Sequence, residues 1–193
     1  MQQNELIKLF KRSNALLDGH FKLSSGLHSD TYFQSALILQ YPEKAACISE
    51  ELIIKIKKYG GIKPDVLISP AIGGIIVGYE MARILKIRSV FTERINDGNV
   101  SLRRGFSINR GEKVLIVEDV ITTGLSVKEI INSIKTLSVD VIGIASLIDR
   151  STEKINFGVP SFSLLNIEVK NYKEDECPMC KNGSKAIKLG SRK

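Results

Sequence analysis

The chain has 193 residues, of which 43% are hydrophobic and 25% are charged, and its formal net charge is +7 at pH 7. This size and composition predict one globular domain spanning residues 1–193 with a real core. Residues 1–12 are polar and mixed, which argues against a secretory signal, and the longest uncharged run, residues 66–79, is too short and interrupted to cross a bilayer. We therefore expect a cytoplasmic protein with no membrane partner.

The positive charge does not by itself indicate nucleic acid. Lysines and arginines are scattered, and no segment alternates basic with aromatic residues as a base-stacking surface would. A solvated basic surface explains the charge, and so does a basic cleft for a small, highly anionic substrate. We expect no nucleic-acid partner.

The first third of the chain predicts helices around an extended segment. Apolar residues recur at near-helical spacing over residues 4–17, which predicts an amphipathic helix. Residues 21–34 are rich in serine, glycine and aromatic residues and predict turns and extended chain. A second helix is expected over 42–59, because a proline suits its first turn and two glycines follow its end.

From residue 66 onward, short apolar runs alternate with helical stretches. This alternation predicts an α/β fold with a mostly parallel sheet flanked by helices. The predicted strands are 66–68, 89–91, 113–117, 141–147 and 163–167, and the predicted helices are 73–85 and 126–137. Two stretches break the pattern. Residues 93–110 form a long polar connection typical of a lid or binding loop, and the polar tail 170–193 is expected to be peripheral.

The most informative segment is 114–126, Val-Leu-Ile-Val-Glu-Asp-Val-Ile-Thr-Thr-Gly-Leu-Ser. Its four apolar residues predict a buried strand, and the residues after it open a helix. Ligands of open α/β sheets bind at the carboxyl ends of strands, and the first turn of a helix offers free N–H groups to a phosphate. Thr122, Thr123 and Ser126 add hydroxyl donors, and Gly124 allows the backbone to approach the phosphate closely.

Glu118 and Asp119 need a separate explanation, because carboxylates repel phosphate. Vicinal hydroxyls are their natural partner, so phosphate donors beside diol acceptors predict a site for ribose 5-phosphate. The segment has neither a Walker lysine nor a dinucleotide glycine pattern. The alternative is an ordinary strand-to-helix turn in which Asp119 caps the loop.

Residues 114–126 resemble, at every position, the phosphoribosyl pyrophosphate signature of type I phosphoribosyltransferases. The resemblance implies that family's fold, with a catalytic role for Asp119 and with Mg²⁺ bound mainly through substrate oxygens. It also implies that phosphoribosyl pyrophosphate is bound by Glu118, Asp119, Val120, Ile121, Thr122, Thr123, Gly124, Leu125 and Ser126.

Resemblance to the orotate phosphoribosyltransferases extends over nearly the whole chain. Residues 19–33 are similar to that family's segment over the base, part of an N-terminal hood at 1–40. Residues 69–74 are similar to its pyrophosphate loop, and 147–150 to the strand end whose arginine meets the orotate carboxylate. The implied orotate contacts are Thr122, Arg150 and Phe33. Tyr32 would also pack on the base, although a core role for either aromatic residue is an equal alternative.

This sequence departs from the family pattern beside the pyrophosphate. Many members have lysines where Ser24 and Gly73 stand, and a Lys-x-x-Lys-x-His cluster in a mobile loop that here spans 93–110. The candidate substitutes are Arg94, Arg103 and Arg104, of which we favour Arg94 as the catalytic cation. Salt bridges to Asp97 or solvation are alternative roles for the other two. The family's loop reaches across a two-fold dimer, so the resemblance implies a homodimer.

The histidines and cysteines predict no metal site of the protein's own. His20 and His28 lie at no metal-binding spacing and favour structural roles. Cys177 and Cys180 form a lone Cys-x-x-Cys pair with no second pair or nearby histidine, which disfavours zinc. An odd number of cysteines, three, argues against a disulfide framework.

Three functions remain open from the sequence. The first is orotate phosphoribosyltransferase, which Arg150 and residues 19–33 favour. The second is a related enzyme that uses a purine or uracil. The third is a regulator that binds phosphoribosyl pyrophosphate without catalysis, which the intact acid pair and the arginine-bearing loop disfavour.

Overall fold

The computed structural model describes residues 1–23, 25–95 and 98–189. A six-stranded sheet lies at its centre, and a three-stranded sheet lies beside it. In chain order the elements are α1 (Gln3–Arg12), β1 (Leu16–Lys22), β2 (His28–Phe33), α2 (Ala36–Leu39), α3 (Pro42–Lys58), β3 (Val66–Pro70), α4 (Gly73–Leu85), β4 (Arg88–Arg94), β5 (Val100–Leu102), β6 (Lys113–Ile121), α5 (Leu125–Ile134), a 3₁₀ turn (Lys135–Leu137), β7 (Asp140–Asp149), β8 (Ser161–Asn166), β9 (Asn171–Tyr172) and α6 (Pro178–Lys181).

The central sheet has the strand order β5-β4-β3-β6-β7-β8, and every neighbouring pair is parallel except β4 with β5. All five residues of β3 are buried, as expected of a strand covered on both faces. The predicted α/β fold with a mostly parallel sheet flanked by helices is confirmed. Among the described residues, no helix is both long and apolar enough to cross a membrane.

Apolar residues pack on both faces of this sheet. In β6, Leu115 and Val117 belong to the core on the side of α3 and α4. Val114 and Ile116 belong to the core on the side of α5. Full burial of each such side chain contributes about 1.5–3 kcal/mol, so β6 is held rigidly at the centre of the fold.

The three-stranded sheet, which we call the hood, joins the two ends of the chain. β1 and β2 form an antiparallel pair, and β9 adds to β2 with His28 opposite Tyr172. The tail therefore supplies a strand instead of lying at the periphery as the sequence predicted. The first helix is also shorter than predicted, because Asn14 adopts a left-handed turn (φ 54°) and the chain then enters β1.

The predicted irregular loop 93–110 is partly a β-hairpin. β4 continues through Arg94, and Arg94 pairs with Val100 of β5 at the edge of the sheet. The sequence missed β5 because its three residues, Val-Ser-Leu, are too few to show an alternating pattern. Asp97 and Ser24, which the sequence analysis singled out, lie outside the described residues.

Candidate active site

The phosphate loop lies between β6 and α5 and is shorter than predicted. β6 continues past both acids, with Glu118 opposite Ser146 and Val120 opposite Ile148 of β7. Three residues, Thr122–Gly124, then lead into α5. The hydroxyl-bearing residues of this turn are exposed at the end of the sheet, where the free N–H groups of the first helical turn also lie. This geometry suits a phosphate, and the binding role of these residues stays a prediction.

Gly124 is required at its position for two reasons. Its φ of +70° is left-handed, a region that side chains enter at a cost. In addition, a Cβ atom there would lie 2.8 Å from ring atoms of Phe157. Glycine at this position therefore allows the loop to turn tightly beside Phe157 and to present its backbone to a ligand.

Glu118 is buried, and the pKa of its carboxyl group is raised. Burial, together with hydrogen bonding and charge repulsion from the neighbouring Asp119 carboxylate, raises the pKa of its carboxyl group to about 10. Its Oε2 atom has no hydrogen-bond partner among the described residues. At neutral pH Glu118 is therefore protonated, and its Oε2 atom is open to a hydrogen bond with a ligand.

Asp119 is fixed by neighbours that sequence spacing does not reveal. Ser35 donates its hydroxyl hydrogen to Oδ2 of Asp119, and the Val120 N–H donates to Oδ1 at 2.9 Å. A Cβ atom at Gly73 would lie 2.6 Å from Oδ2. The predicted pyrophosphate loop thus directly faces this carboxylate, and any side chain at position 73 would collide with Asp119 in its present conformation.

Arg150 lies at the end of β7, beside the phosphate loop. Its backbone N–H donates to the Ile121 carbonyl oxygen at 2.9 Å, which joins the ends of β7 and β6. The side chain is half-buried, and this burial lowers the pKa of the guanidinium, an effect that the nearby Tyr32 opposes. Within the described part of the chain, no carboxylate pairs with this guanidinium. A half-buried cation without a partner suits an anionic ligand.

The two aromatic candidates differ in exposure. Phe33 is only 9% exposed and packs on Phe10 with a ring-centre distance of 5.5 Å, which favours its core role over an orotate contact. Tyr32 is half-buried and packs against Phe21. Because Tyr32 also lies close enough to influence Arg150, it is the better placed of the two beside the predicted base site.

The three candidate arginines of the hairpin differ in their partners. Arg94 binds both oxygens of Glu129 in α5, at 2.6 and 3.1 Å, and also bonds to the Gly98 carbonyl oxygen. Arg104 pairs with Glu93 at 2.8 Å. Arg103 is exposed and has no ion pair among the described residues. The site role of Arg94 stays a prediction, and it requires exchange of Glu129 for a ligand.

The acid pair fits the Mg²⁺ that the resemblance implies. Mg²⁺ in such sites keeps several waters and binds one or two carboxylates together with substrate phosphates. Asp119 is half-buried, and its carboxylate hydrogen-bonds with Ser35, with the Val120 N–H and with Glu118. A carboxylate has about four lone-pair sites, so one remains for a cation. The donor set around Asp119 is made of oxygen atoms only, as a hard cation prefers.

Sequence reasoning missed Ser35, which lies 84 residues from the carboxylate it orients. It was also wrong about the surroundings of the cysteine pair. His20 and His28 both lie beside Cys180, at 3.7 and 3.2 Å from its sulfur. The residues converge because β9 brings the tail onto the hood, a pairing that the alternation pattern did not predict.

Comparison with known proteins agrees with this geometry. A family model described as the phosphoribosyl transferase domain matches residues 38–173. The chain is 49% identical over 193 residues to the orotate phosphoribosyltransferase of Caldanaerobacter subterraneus subsp. tengcongensis, with 100% of both chains covered.

Two solved structures share the fold. The orotate phosphoribosyltransferase from Aeropyrum pernix matches with a TM-score of 0.72 at 24% identity, covering 84% of this chain and 94% of that one. An adenine phosphoribosyltransferase from Thermoanaerobacter pseudethanolicus matches with a TM-score of 0.60 at 17% identity, covering 71% and 88%. The fold is thus common to enzymes named for different bases, and it does not select the base.

The phosphate loop, the acid pair and the matched domain define the class: the chain belongs to the phosphoribosyltransferase family and is a transferase. Its full-length similarity places it with the orotate phosphoribosyltransferases of that family. The family predicted from residues 114–126 is confirmed.

Proposed function

We propose that the protein transfers the phosphoribosyl group of 5-phosphoribosyl 1-pyrophosphate to orotate, giving orotidine 5′-monophosphate and pyrophosphate for pyrimidine synthesis in the cytoplasm. The observation that carries the choice of base is Arg150, a half-buried guanidinium with no carboxylate partner among the described residues, beside the phosphate loop. Its planar donor fork matches the carboxylate that distinguishes orotate from uracil.

The reaction needs no protein nucleophile. The bond between ribose C1 and the pyrophosphate oxygen breaks, the bond from C1 to a ring nitrogen of orotate forms, and the proton of that nitrogen is released. Residues 122–126 would hold the 5-phosphate, and the acid pair would accept hydrogen bonds from the ribose hydroxyls. The protein thus contributes mainly by positioning the two substrates and by stabilising charge as it develops.

Mg²⁺ bound to the substrate oxygens would neutralise charge on the departing pyrophosphate. Asp119 is the protein carboxylate best placed to assist in holding it, because its oxygens face the 69–74 loop. Closure of the 93–110 hairpin would exclude water, which otherwise competes with orotate for C1. Arg94 would then leave Glu129 and meet the pyrophosphate.

A homodimer is part of this proposal. α4 presents Ile76 and Tyr79 at 46% and 65% exposure, and Ile72 just before it is 83% exposed. Apolar side chains grouped on one surface in this way favour a protein–protein contact. Light scattering would test this assembly, with Tyr79→Asp expected to give monomers. Tyr59→Asp, which replaces an exposed tyrosine outside α4, is the matched control.

The test of the function is a panel of bases offered with phosphoribosyl pyrophosphate and Mg²⁺. We expect turnover with orotate and not with uracil, hypoxanthine or adenine. Arg150→Gln should raise KM for orotate by about 10–100-fold, the scale of a lost charged hydrogen bond, because the amide retains no charge. Equal use of uracil would overturn the choice of orotate, and turnover with no base would favour a binding protein.

A further inference from the structure

Four side chains, two from the hood and two from the C-terminal tail, lie close together. They are His20 of β1, His28 of β2, and Cys177 and Cys180 at the start of α6. One ligand atom of each, a ring nitrogen or a sulfur, lies within 4.8 Å of all the others. Cys177 is fully buried, and the two histidines are 7% and 2% exposed. The cluster is a separate feature of the fold and plays no part in the proposed transfer reaction.

The two distances from Nε2 of His20 to the sulfurs match the edges of a metal-centred tetrahedron, and the other two distances are shorter by a few tenths of an ångström. Nε2 of His20 lies 3.5 Å from the Cys177 sulfur, 3.7 Å from the Cys180 sulfur and 2.9 Å from Nδ1 of His28. Nδ1 of His28 lies 3.2 Å from the Cys180 sulfur. A zinc ion with two thiolate and two imidazole ligands has ligand–ligand edges of about 3.4–3.8 Å.

Hydrogen bonding alone does not account for this arrangement. Nε2 of His20 has three polar neighbours within 3.7 Å, yet a ring nitrogen carries either one proton or one lone pair in the ring plane. At most one of the three contacts can therefore be a good hydrogen bond. A single cation at the centre would satisfy all four ligand atoms at once.

The outward-facing nitrogen of His20 has the kind of partner expected around a metal, and that of His28 faces a carboxylate. Metal-bound histidines usually direct their second nitrogen to a hydroxyl, carbonyl or carboxylate, which fixes the ring. Nδ1 of His20 lies 3.1 Å from the Ser184 hydroxyl. Nε2 of His28 lies 3.9 Å from a carboxylate oxygen of Glu174 and has no hydrogen-bond partner among the described residues. Both rings are thus oriented with their inner nitrogens toward the sulfurs.

We propose that His20, His28, Cys177 and Cys180 bind one zinc ion with a structural role. Two thiolates and two neutral imidazoles are a ligand set that zinc prefers, and their charge balances the ion in a buried site. Binding releases the two thiol protons to solvent and leaves both sulfurs unoxidised. Because the protein supplies all four ligands, no position remains for a substrate or a catalytic water.

The zinc ion would fasten the C-terminal tail to the hood. Cys180 and His28 are 152 residues apart in sequence. Among the described residues, the backbone contacts between the tail and the hood are the two-residue strand β9 and two hydrogen bonds of Ile187, with His20 and with Lys22. So few backbone hydrogen bonds hold a tail weakly, whereas a structural zinc contributes folding free energy directly. Tyr32 lies in β2 of the hood, and Ser35 follows that strand. Ser35 bonds to Asp119 and Tyr32 lies near Arg150, so the rigidity of the hood also bears on the candidate active site.

The test is the metal content of the full-length protein, purified without chelator and measured by elemental mass spectrometry. We expect about one zinc per chain, its loss in Cys177→Ser and Cys180→Ser, and its retention in Cys47→Ser. Cys47 is the matched control because it lies in α3, outside the cluster. A zinc-free wild-type protein that takes up no added zinc, or retention of zinc in the Cys177→Ser/Cys180→Ser double variant, would overturn the proposal.

Two further measurements keep the test independent of whether the variants fold. Chelation of zinc from the wild-type protein should lower its Tm, and added zinc should restore the Tm, while Cys47→Ser behaves as wild type. Cobalt added to the zinc-free protein should give the absorption of four-coordinate Co²⁺ with thiolate charge-transfer bands. An octahedral cobalt spectrum, or a Cys177–Cys180 disulfide found by intact mass in the freshly purified protein, would contradict the site.

Discussion

The guanidinium of Arg94 donates hydrogen bonds to both carboxylate oxygens of Glu129, one at 2.6 Å and the other at 3.1 Å. The pair links the end of β4 to the helix that follows the phosphate loop. Exposed ion pairs of this kind contribute only about 0.2–1 kcal/mol, so a pyrophosphate group with several negative charges can displace Glu129. The pair is therefore compatible with a resting position for a catalytic arginine.

Arg94 has two possible roles, to stabilise the departing pyrophosphate or to form the ion pair with Glu129, and substitutions can separate them. If Arg94 stabilises the departing pyrophosphate, Arg94→Ala should lower kcat by about 10²-fold and change KM less, since the contact forms in the transition state. Glu129→Gln, which only releases the arginine, should keep or raise kcat. Steady-state kinetics of both variants would decide the matter. A similar loss of kcat in both variants would mean that activity depends on the Arg94–Glu129 ion pair and not on contact between Arg94 and pyrophosphate.

Arg103 and Arg104 complete that comparison. Arg104 is held by Glu93, whereas Arg103 has no ion pair in the described part of the hairpin. If Arg94→Ala retains full turnover and Arg103→Ala does not, the cation that meets pyrophosphate is Arg103.

Asp119→Asn tests the carboxylate beside the pyrophosphate loop. The amide keeps the shape and removes the charge, so transition-state stabilisation should fall by about 1–3 kcal/mol, or about 5–150-fold in kcat/KM. Ser35→Ala removes only the hydroxyl that orients Asp119, and it should have a smaller effect in the same direction. An Asp119→Asn enzyme with the kinetics of the wild type would show that this carboxylate does not bind the ribose hydroxyls.

Glu118 makes stability depend on pH. Its pKa rises from about 4.3 in an unfolded chain to about 10 in the folded protein, so the folded state binds the proton more tightly. The corresponding stability is fully present below about pH 4 and is lost as the pH rises toward 10.

We therefore expect the Tm of the wild type to fall, relative to Glu118→Gln, between pH 5 and pH 9 in calorimetric scans. The control is Glu43→Gln, which replaces an exposed glutamate of α3 and should leave the pH dependence unchanged. Parallel curves for wild type and Glu118→Gln would contradict the raised pKa.

Gly124 and Gly158 form a matched pair for testing the phosphate loop. Both have left-handed φ angles, +70° and +77°, but only Gly124 has a crowded surrounding. Gly158→Ala should destabilise the protein by about 1 kcal/mol through backbone strain alone. Gly124→Ala should cost about 1–3 kcal/mol more through overlap with Phe157, and it should raise KM for phosphoribosyl pyrophosphate. Chemical denaturation and kinetics would measure both effects, and equal behaviour of the two variants would contradict the role of crowding.

The sequence predicted those parts of the molecule that depend on local pattern. The helix over 73–85 and the strand-to-loop order of 114–126 were predicted because apolar period and glycine placement act within a few residues. Local pattern does not assign Ser35 and Tyr32, because their partners Asp119 and Arg150 lie more than 80 residues away in sequence. The hairpin at 93–110 was missed because its second strand, Val100–Leu102, has only three residues and is too short to show an alternating pattern.

The joining of the two chain ends in the hood also bears on synthesis at the ribosome. His28 emerges 152 residues before Cys180, which corresponds to roughly 8–30 s of translation at ordinary elongation rates. During that interval the β1–β2 hairpin has an unpaired edge on the side that β9 later covers. The nascent chain thus has to shield this edge from neighbouring polypeptides, and a product truncated before residue 171 never closes it.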